Sequence, residues 1–240
     1  MKLSKKLIAI ILAVAVVLGV AVFALTRTPN NYKAPVKILE EQANSQKYKS
    51  QYTIIAEQLN GFCEKEFNQI VKMFEKTEEY KDELFTEKTE FEAELVNKQE
   101  EFGKNFKYKY SVAEKIDVEQ EDIDSVQSTI REYGAVFLEN YEQEIAKYST
   151  EQWQELADEL DVSSPDEAKK LMGIMKEIAQ KLKTVKITDA YELKIDVELT
   201  GSKIDTPEVD SITISVYKVN GRWINSIGLI AVSALVGYQL

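Results

Sequence analysis

The stretch Val-Lys-Ile-Thr-Asp-Ala-Tyr-Glu-Leu-Lys-Ile-Asp-Val-Glu-Leu, residues 185–199, decides the fold class. Val185, Ile187, Tyr191, Leu193, Ile195, Val197 and Leu199 share one parity, and Glu192, Lys194, Asp196 and Glu198 take the other. Alternation at a period of two predicts a strand with one buried face. Downstream, a loop over residues 201–210 contains Gly201-Ser202 and Thr206-Pro207. Ile212, Ile214 and Val216 then repeat the alternation, and Val219-Asn220-Gly221-Arg222-Trp223 predicts a two-residue hairpin turn into a fourth strand starting at Arg222. Upstream, Phe106, Tyr108, Tyr110 and Val112 alternate with Lys107, Lys109 and Ser111, which predicts a first strand.

Between and before these strands the period changes to that of a helix. From Pro35 the chain is helical in pattern for about 70 residues. Val36, Leu39 and Ala43 share a face, Tyr52, Ile55 and Leu59 share another, Asn60-Gly61 interrupts, and Gly103 supplies a stop. A second helical block runs from about Glu119 to Leu182. Within it Ser149-Thr150-Glu151-Gln152 reads as a capping box. Ser164-Pro165-Asp166-Glu167 reads as an N-cap followed by Pro at the first helical position. One-sided strands need a cover, and helices supply it. The expected class is α+β, an antiparallel sheet of about four strands covered on one face by helices.

The chain has 240 residues, 30 Lys+Arg, 41 Asp+Glu and no His, a net charge of −11. Without His there is no Ser-His-Asp triad and no imidazole metal ligand. The acidic balance argues against a nucleic-acid partner, since phosphates need compensating cations. There is no Gly-rich phosphate loop and no nucleophile elbow, so no cofactor is expected.

Lys2, Lys5 and Lys6 precede an uncharged apolar run, residues 7–25. As a helix its 19 residues measure about 28 Å, close to a bilayer's hydrocarbon thickness. The lysines place residues 1–6 in the cytoplasm and everything after Leu25 outside, with a single-pass insertion. The competing reading is a cleaved signal peptide, with Val22-Phe23-Ala24 as its cleavage site, and both readings export the rest. The organisation expected is a tail at 1–6, an anchor at 7–25, a linker at 26–33 and an exported domain at 34–240. Setting aside the three N-terminal lysines leaves 27 basic against 41 acidic residues, a net of −14. Cys63 is the only cysteine and shares a helical stripe with Phe67, Ile70 and Phe74, which reads as a buried thiol, with an intermolecular disulfide as the alternative.

The order strand, helices, long hairpin ending Tyr217-Lys218-Val219-Asn220-Gly221-Arg222-Trp223 resembles the nuclear transport factor 2-like superfamily. With Tyr32-Lys33-Ala34-Pro35, Phe102 to Tyr108, the acidic Val118 to Ile123 and Ala190-Tyr191-Glu192, it looks like the exported α+β domains that Gram-positive bacteria carry behind a membrane anchor. The resemblance covers about residues 32–225 and implies a cone-like fold able to enclose a pocket, with members that are enzymes and members that only bind. The long helical stretch over 133–183 departs from that pattern.

The pocket-lining candidates are Tyr108, Tyr110, Tyr191 and Trp223. A ketosteroid-isomerase type of site would need an inward carboxylate, whereas the inward positions here are Tyr191, Leu193, Ile195 and Val197, with Asp196 and Glu198 outward. The acidic run Asp117 to Asp124 fails the calcium-loop pattern, having Asp122 at the sixth position and Ser128 at the twelfth. It reads as an acidic helix start. Residues 62–103 carry 13 acids and six lysines, a solvated helix face. The apolar tail Ile227 to Val236 is too short to span a bilayer; it either completes the fourth strand and is buried, or forms an exposed edge for a partner or a dimer. Binding is preferred over catalysis. The alternatives are a small-molecule enzyme using a Tyr and a carboxylate, and a helical interaction module.

Overall fold

In the computed structural model, which describes residues 31–237, the hairpin region forms the predicted meander. The strands are β1 (Lys107–Asp117), β2 (Ile187–Thr200), β3 (Glu208–Val219) and β4 (Arg222–Asn225), antiparallel in the order β1-β2-β3-β4. Asn220 and Gly221 take φ of 48° and 82°, the left-handed pair that a two-residue turn between right-twisted strands requires. The helices among the described residues are α1 (Ala34–Ala43), α2 (Gln51–Gln58), α3 (Glu64–Phe74), α4 (Glu78–Phe102), α5 (Gln120–Gln143), α6 (Thr150–Glu159), α7 (Pro165–Lys183) and α8 (Ser226–Gly237). The expected anchor at 7–25 and most of the linker lie outside the described residues. Among those described, no helix is long and apolar enough to cross a membrane.

The caps foreseen from sequence are in place. Ser149 and Gln152 bond reciprocally at the start of α6, and Ser164 Oγ accepts from the Glu167 N–H at the start of α7. The Glu167 carboxylate reaches past its cap to Ser163, accepting from its N–H at 3.1 Å and its hydroxyl at 2.7 Å.

Four expectations need correction. First, the parity of β2 is broken near its start. Ile187 pairs with Val219 but Ala190 pairs with Tyr217, so three residues of β2 advance against two of β3. This bulge turns Ile187 to the face of Ala190, opposite Tyr191, Leu193 and Ile195. Second, helices therefore cover both faces. Ile187, Ala190, Val219 and Ile224 join the large core built by α2, α3 and α5–α8. Leu193, Ile195, Val216 and Trp223 form a separate cluster with Val36 of α1. Third, the apolar tail is not strand: β4 ends at Asn225 and α8 begins, burying Gly228, Leu229, Val232, Ser233 and Val236 and leaving Ile230 47% exposed. A short run that is apolar on all sides carries no period to separate helix from strand. β1 also runs five residues past its expected end at Val112, through an irregularity between Val112 and Glu114, because pairing with β2 holds it extended.

The large core turns on the crossing of α5 with α7. A Cβ built on Gly134 would lie 2.5 Å from the Ala179 carbonyl oxygen and 2.6 Å from the Lys183 nitrogen, so only glycine permits this approach. The same helix grips the start of β2: Arg131 Nε donates to the Val185 carbonyl at 2.8 Å, and Gln127 Oε1 accepts from the Ile187 N–H at 2.8 Å. Replacing Gly134 by Ala forces the two helices apart and lowers stability by about 2 kcal/mol, read as a reduced urea midpoint with an unchanged slope.

Candidate functional site

α1 lies over the sheet face that carries the aromatic candidates. Asn44, its C-cap, fixes its end to the outer edge of β1, donating to the Tyr108 carbonyl at 2.7 Å and accepting from the Tyr108 N–H at 2.8 Å. One side-chain amide thus imitates a neighbouring strand. At the other end of α1, Tyr32 stands edge-on to Tyr191 at 5.6 Å and to Trp223 at 6.4 Å between ring centres.

The four candidates fall into two groups. Tyr191 and Trp223 stack on each other, 4.9 Å between centres and 21° between planes. Trp223 is buried, and its carbonyl accepts from Asn60 Nδ2 at 2.8 Å. Tyr110 packs against the same cluster from β1. Tyr108 belongs to a different group, edge-on to Phe106 at 5.9 Å with Lys98 Nζ 6.0 Å from its ring centre. Lys115 Nζ sits 3.6 Å from the Tyr191 ring centre, a cation–π contact, and pairs with Asp117 at 3.3 Å. Burial pushes the Tyr110 hydroxyl up to about 12, so it is a neutral phenol at physiological pH and not a base.

The strongly buried carboxylates are committed elsewhere. Glu66 on α3 bonds Lys181 of α7 at 2.6 Å, and Glu57 on α2 bonds Lys49 at 2.6 Å. Burial raises the Glu57 carboxyl above its ordinary range, although Lys49 pulls it back down. Cys63 is a buried thiol beside Glu66 and Lys181; burial pushes it up to about 12, which leaves it an inert hydrophobe. Glu121 and Asp122 sit exposed in the first turn of α5, as the acidic-start reading expects. Among the described residues no three His, Cys, Asp or Glu side chains gather to hold a metal ion.

A second feature was not foreseen. Among the described residues, the buried side-chain polar atoms without a hydrogen-bond partner are Glu41 Oε2, both polar atoms of Gln42, Glu57 Oε2, both of Gln58, and Asn225 Nδ2. All belong to α1, α2 and β4, the elements that meet where α1 docks. The sequence held one signal of it: Gln42, three residues after Leu39, interrupts an apolar stripe.

No protein-family model matches the chain, and no curated protein or solved structure is detectably similar to it. The side chains must therefore speak for themselves. The aromatic cluster can pack and stack, and it holds a lysine over a ring.

Gln42 supplies a direct test of the α1 seam. Removing both unpartnered amide atoms by Gln42→Leu is neutral or stabilising, by up to about 1 kcal/mol, in chemical denaturation.

Proposed function

We propose that this chain is a membrane-tethered extracytoplasmic binding domain without catalytic activity. The observation that carries the tether is the uncharged run at 7–25 behind Lys2, Lys5 and Lys6. Binding is favoured over catalysis because Tyr191 and Trp223 are spent on each other, Tyr110 is a neutral phenol, and the buried Glu57 and Glu66 are held by lysines. The nuclear transport factor 2-like, cone-like build belongs to the same proposal. Its support is the antiparallel meander preceded by a strand and a helical block. Tyr32 follows the apolar run within a few residues and packs on Tyr191 and Trp223. A tether would therefore turn that end of the sheet toward the membrane.

The test is expression of the full chain with a tag at each end in a bacterial host. The expected result is a chain that stays in the membrane fraction after alkaline carbonate, with the C-terminal tag open to protease added outside intact spheroplasts and the N-terminal tag protected. Release by carbonate at full length, or protection of the C-terminal tag, overturns the proposal.

A further inference from the structure

On β1 the outward-facing Tyr108 peptide is taken by Asn44. On β3 the outer neighbour is β4, four residues long, which pairs only from Val216 to Val219. The remaining length, Val209 to Ser215, has β2 on one side and no strand on the other among the described residues. The Asn220-Gly221 turn makes Val219 and Arg222 the bonded pair that closes the hairpin, so the odd-numbered residues of β3 direct their N–H and C=O groups toward that side. Val209, Ser211, Thr213 and Ser215 therefore turn their backbone groups to a side with no strand on it among the described residues. The Ser211 N–H donates to the adjacent Asp210 Oδ1 at 2.7 Å.

The side chains of this edge say what fits it. Along one face lie Glu208, Asp210, Ile212 and Ile214; along the other lie Val209, Ser211, Thr213 and Ser215. Val209 is 66% exposed and Ile212 37%. Glu208 and Asp210 have no salt-bridge partner among the described residues, unlike the neighbouring Glu198, which holds Lys109 at 3.2 Å. Pro207, with no N–H, closes one end and β4 closes the other. The free length is seven residues, about 23 Å at roughly 3.3 Å each.

We propose that the β3 edge binds an extended segment of a partner protein by strand addition, with Lys or Arg opposite Glu208 and Asp210 and apolar residues opposite Ile212 and Ile214. Backbone bonds supply the pairing, and the side-chain pattern supplies the choice of partner. Asp210 guards the edge: its carboxylate covers the Ser211 N–H until a cation draws it away. A second copy of this chain is a poor occupant. A seven-residue seam between two copies is short for a stable dimer, and each chain carries a net charge of −11. The inference gives the proposed binding role its partner class, and it is read by peptide binding, so its failure is distinct from a failed membrane assay.

The probe is the fluorescently labelled peptide Val-Thr-Val-Thr-Lys-Thr-Lys, which in antiparallel register sets its lysines against Asp210 and Glu208. Binding to the full chain in detergent micelles is followed by anisotropy. The expected result is saturable binding, about tenfold tighter than for the same peptide with Glu in place of Lys, and slowed hydrogen exchange at Ser211 and Thr213. Thr213→Pro removes one outward N–H without touching the β2 ladder, and it abolishes binding while leaving the circular dichroism spectrum unchanged. If that variant misfolds, the exchange protection in the unmodified chain decides. Equal binding of both peptides, protection elsewhere than β3, or peptide-independent dimers that Thr213→Pro dissolves would each overturn the proposal.

Discussion

The β2 bulge is the constraint on which the rest of the structure depends. A strand that kept its alternation from Val185 to Leu199 would present a single apolar face, and all the helices would compete for it. By inserting one residue between Ile187 and Ala190, the chain sends the beginning of β2 into the large helical core and the remainder to the opposite side. The backbone there is held from outside, by Arg131 and Gln127 of α5 on the Val185 carbonyl and the Ile187 N–H. Those bonds depend on α5 lying close to α7, which the glycine at 134 allows. Close helix packing, a fixed bulge and two-sided burial are one linked arrangement.

The second face is the lesser of the two in apolar content. Its cluster is small, and its cover is a ten-residue helix joined to the rest by aromatic edges, an amide on a strand edge and a seam of polar side chains. Aromatic rings bury much surface with few rotamers and tolerate a cation above them, which suits a thin cluster near solvent.

The strand edges complete the picture. Sheets that leave backbone groups unpaired invite other strands, and proteins block such edges with side chains, acids or proline. β1 uses Asn44. β3 uses Pro207, Glu208 and Asp210, all within one end, and leaves Ser211 to Ser215 with small polar and β-branched side chains. Blocking by charge is selective where blocking by an amide is not, because a cation reverses it.

Local chemistry made much of this legible from sequence. The Asn-Gly hairpin, the Ser149 and Ser164 caps, the stop at Gly103 and the buried stripe of Cys63 each follow from a few neighbouring residues, whose preferences act over one turn of chain. The class α+β and the four-stranded antiparallel order follow from where the period changes. The grouping of Tyr110, Tyr191 and Trp223, the exclusion of Tyr108 from it, the polar seam at Gln42 and Gln58, the helical form of residues 226–237 and the reversal of parity at Ile187 were decided only by tertiary structure. Each depends on what packs from a distant part of the chain: an inserted residue costs a strand little locally, and a uniformly apolar run has no face of its own. Sequence periodicity records which residues seek burial, and the packed neighbours determine on which side they find it.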